Sequence, residues 1–508
     1  MPQSMETAAQ NLSTYTPRRP QDSILFKVVN DNLEAFLKTA ASDPNDSGLP
    51  IYVKREFEKF LGCGFYENGV TRVSCKDSKC GDNYWLPTSC KCRGFCPSCG
   101  GRRMNEFAIN IDERVMPEVP VRQYVISVPF PMRYWMMSNH ELTLEVNRII
   151  IRSIRALLRK KSRQKGVANG VIGAVTFMQR FGSGLNSHPH YHILVVDGVF
   201  TENEDPELVP EFIEAAPFDD CEIADLARRI CTAVRKHLIK SKYLEAISNE
   251  PNPDLEESSD QSPGVHAAIK KASLVSRIAL GPRAGQKVRR IGPKLFGVGD
   301  AKPKITGDLC AEYGGFSVHA STRVPAKDRA RLKRLISYVS RPSVSLDRLS
   351  LTESGDIEVR LKTAWPDGTT TLVLSPFELI EKLAALVPYP QKNLVIYSGF
   401  LAPNHSMRRD IVSLEQPPEK SIAESAQIAE VAEPAPKKPP SRYIPWALLL
   451  KKTWGIDVFS CRTCGGPTSV RAFISDPAQI QKIMAGCNLH SRPPPARASF
   501  EVVYDPDF

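Results

Sequence analysis

Apolar positions in the middle of the chain follow two periods. Val121-Arg-Gln-Tyr-Val-Ile-Ser-Val128 is a short apolar run stopped by Pro129 and Pro131, which predicts a buried strand. From His140 to Lys161, Leu144, Ile149, Ile150, Ile154 and Leu157 recur at helical spacing, and Arg152, Arg155, Arg159, Lys160 and Lys161 load the last turns with positive charge. Gly173 to Phe181 and His190 to Val196 read as two further strands. The segment between them is rich in Gly, Ser and Asn and supplies the turn of a hairpin. Cys221 to Leu244 is helical by periodicity, Gly315 to Val324 reads as a strand, and Asp328 to Ser340 as a helix stopped by Pro342. Leu349 to Ala402 alternates strand-like and helix-like pieces, with Pro376 to Leu386 as a helix.

These elements imply an α+β fold with a central antiparallel sheet flanked by helices, and composition divides the rest. Residues 1–48 read as a polar lead-in, partly disordered. Residues 49–118 are rich in cysteine and read as a zinc-binding module. The patterned elements fill 119–410, with an acidic and a basic insertion within about 202–310; Pro251 to Pro263 reads as an exposed loop. Pro, Glu, Ala and Lys dominate 411–440, which reads as a linker, and 441–508 as a small C-terminal module carrying a Cys-x-x-Cys pair.

The chain has 508 residues, of which 42% are hydrophobic, enough for several cores. Lys and Arg number 67 against 56 Asp and Glu, a basic excess that suits a polyanionic partner. The start, MPQSMETAAQ, lacks the basic and apolar regions of a signal peptide, and nowhere do 18 apolar residues run together. A cytoplasmic protein without a membrane partner is expected, whose 13 cysteines stay reduced and serve as metal ligands where they cluster.

Seven of those cysteines fall between Cys63 and Cys99. Cys96-Pro-Ser-Cys99-Gly-Gly has the form of a zinc knuckle, in which two thiolates turn onto one ion. Cys75 and Cys80 are the second pair expected to complete the structural zinc site, with Cys90 and Cys92 competing as ligands. Arg102 and Arg103 follow the knuckle and are placed to meet phosphates. Near the C-terminus, Cys461-Arg-Thr-Cys464 followed by Cys487-Asn-Leu-His490 offers a second zinc set or ordinary packing.

Pro189-His190-Tyr191-His192-Ile-Leu-Val-Val196 is the sharpest motif. Strand alternation points His190 and His192 to one face, where two imidazoles can hold a divalent ion with open positions. Asp197 has the other parity and is not counted as a ligand. A third ligand is needed: Gln179, across the hairpin, is favoured, with His319 as runner-up, and the direction of His188 cannot be read beside Pro189. In the helix from Asp328, Leu332, Leu335, Ile336 and Val339 form one buried stripe. Tyr338 lies about 110° away from it, among Arg331, Arg334 and Arg341, a setting that favours a phenolate beside DNA phosphates. Tyr397, in Ile396-Tyr-Ser-Gly, is its rival without a basic surround.

Taken with Phe95-Cys-Pro-Ser-Cys-Gly-Gly-Arg-Arg-Met104, Pro117-Glu-Val-Pro-Val-Arg-Gln123, His188-Pro-His-Tyr-His192, Gly315-Phe-Ser-Val-His-Ala320, Tyr338-Val-Ser-Arg-Pro342, Trp365-Pro-Asp-Gly-Thr-Thr370 and Cys461-Arg-Thr-Cys-Gly-Gly466, the chain resembles the rolling-circle HUH transposases of bacterial insertion sequences, relatives of the Helitrons. The resemblance implies that 119–410 is an endonuclease and strand-transfer domain acting on single-stranded DNA ends of a mobile element. It also implies Mg²⁺ or Mn²⁺ at His190 and His192, attack by Tyr338 to leave a 5′-phosphotyrosine, and host helicase or replication proteins as partners. Where some members carry an earlier tyrosine on this helix, Arg334 stands, so the chain looks like a one-tyrosine member. Other readings are a plasmid replication initiator or relaxase of the same chemistry, or a zinc protein that only binds DNA.

Overall fold

The computed structural model describes residues 19–42, 48–202, 210–241, 264–291, 305–412, 448–449, 451–452, 457–461, 463–487 and 489. The loop expected at Pro251 to Pro263, the stretch 413–440 of the expected linker and the basic residues Lys294, Lys302 and Lys304 lie outside them.

The main sheet is antiparallel throughout. Its strands run in the order Ile305–Gly307, Cys310–Tyr313, Phe316–His319, Val121–Ser127, Ser187–Val196, Gly173–Phe181 and Val395–Gly399, with Arg323–Val324 also paired to Val121–Ser127. Gly315 to Val324 is thus two short strands rather than one. The expected hairpin is present: Gly173–Phe181 pairs with Ser187–Val196, with an irregularity between Gln179 and Phe181.

Strand alternation sorts the residues onto two faces. Tyr124, Ile126, Tyr191, Ile193 and Val195 enter one core with the apolar stripes of helices His140–Arg163 and Asp220–Lys240. Val121, Val175, Phe177, Leu194 and Val196 enter another, under helices Pro97–Arg114 and Arg329–Val339. The sheet is therefore the middle of three layers. Its second face carries both the helix that follows the cysteine knuckle and the helix that carries Tyr338.

Two departures from the sequence expectations matter. The lead-in contains a 17-residue helix, Ile24–Ala40, capped by the Ser23 side chain, with Leu25, Phe26, Val29, Leu33 and Phe36 buried. It packs with Ile51–Leu61, Pro376–Leu386 and the strands Leu349–Leu351, Ile357–Arg360 and Thr371–Leu374 in one core. Nor is the C-terminal segment a detached module. Its strand Thr468–Ile474 pairs antiparallel with Val70–Cys75, which pairs in turn with Asn83–Pro87, giving one small sheet built from both ends of the chain. No helix of the described residues is long and apolar enough to cross a membrane.

Candidate metal and nucleophile centre

His190 and His192 project from the second face of the sheet, and their Nε2 atoms lie 3.1 Å apart. Each ring is held by its other nitrogen. His190 Nδ1 donates to the carbonyl of His188 at 2.7 Å, which leaves Nε2 with its lone pair. The side-chain nitrogen of Gln123, on the neighbouring strand, lies 2.8 Å from His192 Nδ1; turning that amide over, so that its oxygen accepts from Nδ1–H, would leave His192 Nε2 free to ligate. Burial pushes the His190 imidazole down to about 4 and His192 down to about 2, the charge of Arg341 adding to both. Both rings are therefore neutral at physiological pH, as ligation requires.

Gln179 stands directly across the hairpin from His190. Its amide nitrogen donates to the carbonyl of Val339 at 2.7 Å, which fixes the orientation of the group. Its oxygen is then buried without a hydrogen-bond partner, and so is Nε2 of His188, whose ring lies 5.1 Å from that of His190. Buried polar atoms without partners are rare and costly. Here two face the neighbourhood of the histidine pair, so the donor set suits a divalent cation. His319 is opposite Val125, and Val125 is opposite His192. That leaves His319 two strand spacings away, roughly 10 Å, where its ring meets the Ser321 hydroxyl at 3.2 Å.

Tyr338 comes over the same face. Its ring is T-shaped to His192 at 6.0 Å between centroids, and it is 39% exposed. The Arg341 guanidinium lies 4.3 Å from the ring centre and Lys362 Nζ 4.6 Å. Burial pushes the phenol up, but the hydrogen bond and charge of Arg341, with the charge of Lys362, outweigh it and hold the phenol below its ordinary range. The helix is pinned at its start: Asp112 of Pro97–Arg114 pairs with Arg329 at 2.7 Å and Lys333 at 3.1 Å. At its end, Gly100 of the same helix lies so close to Pro342 that an added Cβ would come within 2.6 Å of the proline side chain. Arg331 and Arg334 are exposed on the outer side of the tyrosine helix. Arg102 is half-buried on the knuckle helix, while Arg103 donates to the carbonyls of Lys91 and Cys92 at 3.3 Å. Between the two helices a cavity of about 330 Å³ is lined by Arg103, Phe107, Gln179, Phe181, Arg341 and Tyr397.

Asp197 is on the other face. It accepts from Arg122 Nε at 2.8 Å and Nη2 at 2.9 Å, and from Arg323 at 2.7 Å.

The four cysteines expected to share one ion fall into two groups. Cys96 and Cys99 join Cys63 and Cys90, with sulfur separations of 3.4–3.8 Å. Cys75 and Cys80 instead join Cys461 and Cys464. The strand Val70–Cys75 carries its end away from the knuckle, whereas Cys63, at the end of helix Ile51–Leu61, is folded back onto it. Cys92 lies outside both groups, its thiol 3.8 Å from the carbonyl of Glu56. Cys487 is exposed at the end of helix Pro477–Cys487, and His490 lies outside the described residues. Sequence reasoning missed Lys362, which carries no motif, the role of Gln123, which closes the Pro117–Gln123 motif but was given no part in the site, and Cys63, which has no nearby partner in the chain.

Residues 28–128 match the IS91-type family described as "Transposase zinc-binding domain", and residues 173–409 the family described as "Putative transposase". A 157-residue stretch is 28% identical to the transposase for insertion sequence element IS801 of Pseudomonas savastanoi pv. phaseolicola, covering 31% of this chain and 36% of the relative. The chain thus spans about a third of that relative's length. No solved structure matches. The zinc-binding family match and the cysteine groups together support structural zinc.

Proposed function

This chain belongs to the IS91-type transposases, and we propose that it nicks and rejoins single-stranded DNA at the ends of an insertion element through a 5′-phosphotyrosine on Tyr338. One observation carries the reading. Two neutral imidazoles, His192 buried and His190 half-buried, with Nε2 atoms 3.1 Å apart lie beside a half-exposed tyrosine whose phenol is held low by two cations.

A Mg²⁺ or Mn²⁺ ion held by His190 and His192, with the oxygen of Gln179 as third protein ligand, would supply Lewis-acid polarisation of the scissile phosphate. Arg341 and Lys362 favour the Tyr338 phenolate and meet the phosphate's negative charge. The Tyr338 oxygen attacks phosphorus, the Oη–P bond forms, the P–O3′ bond breaks, and the departing 3′ oxygen takes a proton. A 3′-OH then attacks the same phosphorus, restoring the phenol and a DNA phosphodiester, so each step exchanges one ester for another. Gln179 ties the sheet to the last carbonyl of the tyrosine helix and so positions Tyr338 over the histidines. Arg331, Arg334, Arg102 and Arg103 lie along the two helices that flank the cavity and suit the DNA backbone. Cys63, Cys90, Cys96 and Cys99 would hold the zinc of the N-terminal module. Host helicase or replication proteins would supply the single strand, and a cytoplasmic setting keeps the thiols reduced.

Trapping tests this. The protein, a single-stranded end of its element and Mg²⁺ or Mn²⁺ should give a protein–DNA species that survives denaturing gels and maps to Tyr338. Tyr338→Phe should fold and give none. An adduct on that variant would refute the assignment and point to Tyr397.

A further inference from the structure

Four cysteines from opposite ends of the chain meet at one point. Cys75 closes the strand Val70–Cys75, and Cys80 lies in the turn before Asn83–Pro87. Cys461 and Cys464 come just ahead of the strand Thr468–Ile474. Sulfur separations are 3.6 Å for Cys75 and Cys464 and 3.7 Å for Cys80 and Cys461, and all four sulfurs lie within 4.8 Å of one another. We propose that these residues form a second zinc site, which clamps the C-terminal segment onto the N-terminal sheet. Both family matches end before Cys461, so neither assigns it.

Three observations carry the proposal. Thiolates at ~2.3 Å from a tetrahedral zinc stand about 3.8 Å apart. The measured separations fit one such ion; they are too long for a disulfide at ~2.05 Å and too tight to enclose an iron–sulfur cluster. Apolar packing does not account for the convergence, because Cys80 is only half-buried and Cys464 is exposed. The backbone also turns donors onto the sulfurs. The N–H groups of Asp77 and Gly466 reach Cys75 and Cys464 at 3.4 Å, and Gly465 takes φ 71°, a left-handed turn that a side chain would strain. The knuckle group, Cys63, Cys90, Cys96 and Cys99, has the same kind of N–H contact at Cys63 and Cys90. Two equivalent sites follow, one within the N-terminal module and one joining the chain's ends.

The full-length chain, purified under reducing conditions, should contain two zinc ions by elemental analysis. Cys461→Ser with Cys464→Ser should retain one. In that variant, amides of Thr468–Ile474 should exchange with solvent at least tenfold faster than in the parent protein. The parent protein supplies a test that needs no variant. An alkylating reagent should label the exposed Cys221 and Cys487 quickly, and label the equally exposed Cys464 only after a chelator removes zinc. A single zinc per chain, two zincs retained in the double variant, iron in place of zinc, or rapid labelling of Cys464 without chelator would each overturn the proposal.

Discussion

Asp197→Asn removes the charge that Arg122 and Arg323 share while keeping the shape and one carbonyl oxygen. The pair is deeply buried: the side chain of Arg122 is 7% exposed and that of Asp197 3%. Arg323 is 34% exposed and also reaches Glu214, so it can rehydrate. Arg122 cannot, and its remaining partners are the carbonyl of Ala320 at 2.9 Å and the ring of Phe218, 4.9 Å from the guanidinium carbon. Removing one partner of a buried ion pair costs about 3–5 kcal/mol. Since the asparagine oxygen still accepts one hydrogen bond, the lower end applies. At a urea slope of ~3 kcal/mol per M, a loss of about 3 kcal/mol lowers the unfolding midpoint by about 1 M. Asp197 faces away from the histidine pair, so the folded variant should form the DNA adduct at the parental rate when assayed well below its melting temperature. An unmoved midpoint with the adduct abolished would mean that Asp197 acts in the chemistry and that the face assignment is wrong.

His190→Ala and His192→Ala should each lower adduct formation about a thousandfold or more, the several kcal/mol a bound cation supplies to phosphoryl chemistry. Single-stranded DNA binding, measured by fluorescence anisotropy, should stay near parental because phosphate contacts dominate affinity. Gln179→Leu keeps the volume but loses both the bond to Val339 and the free oxygen. It should raise the Mn²⁺ concentration for half-maximal adduct formation about tenfold or more, and an unchanged Mn²⁺ titration would argue against ligation. Lys270 is a stability prediction. Burial, with the charge of Arg180, pushes its ammonium down to about 7 from an ordinary value near 10.5. Between those values the unfolded chain holds the proton and the folded chain does not, so stability rises with pH across that window. Lys270→Met should therefore raise the thermal midpoint at pH 6, and the gain should shrink toward pH 10; a gain independent of pH would refute the account.

What could be read from the sequence was local and periodic. The alternation in His190 to Val196 puts both imidazoles on one face because side chains two apart in a strand point the same way, and burial of the strand makes register errors there severe. The stripe of Leu332, Ile336 and Val339 left Tyr338 off the core side. The boundaries of Pro376–Leu386 follow from Ser375 and Glu378, which form a capping box. What escaped depended on distance along the chain. Cys63 is 27 residues before Cys90, the ligand it meets through a backbone N–H, and nothing in its own neighbourhood marks it. Gln123 acts on His192 only because two strands pair. The helix Ile24–Ala40 was missed although Ser23 caps it and an apolar repeat runs from Leu25 to Phe36, because the polar residues before it set the reading of the whole lead-in. The assignment of Cys75 and Cys80 to the knuckle failed because sequence spacing cannot tell which neighbour a turn faces.

The small sheet has a consequence for the timing of synthesis. Its middle strand, Val70–Cys75, is flanked by Asn83–Pro87 within a few residues, but its other neighbour, Thr468–Ile474, is made long after it. At ribosomal rates of ~5–20 residues per second, the nearly 400 residues between them take on the order of 20–80 s. Through that interval the nascent chain carries an open strand edge next to its basic knuckle, while the sheet that holds the histidines and the helix that bears Tyr338 are completed. The small sheet gains its third strand only after Thr468–Ile474 is made, so a chain broken off before it would present the histidine pair and Tyr338 beside a two-stranded sheet with an open edge.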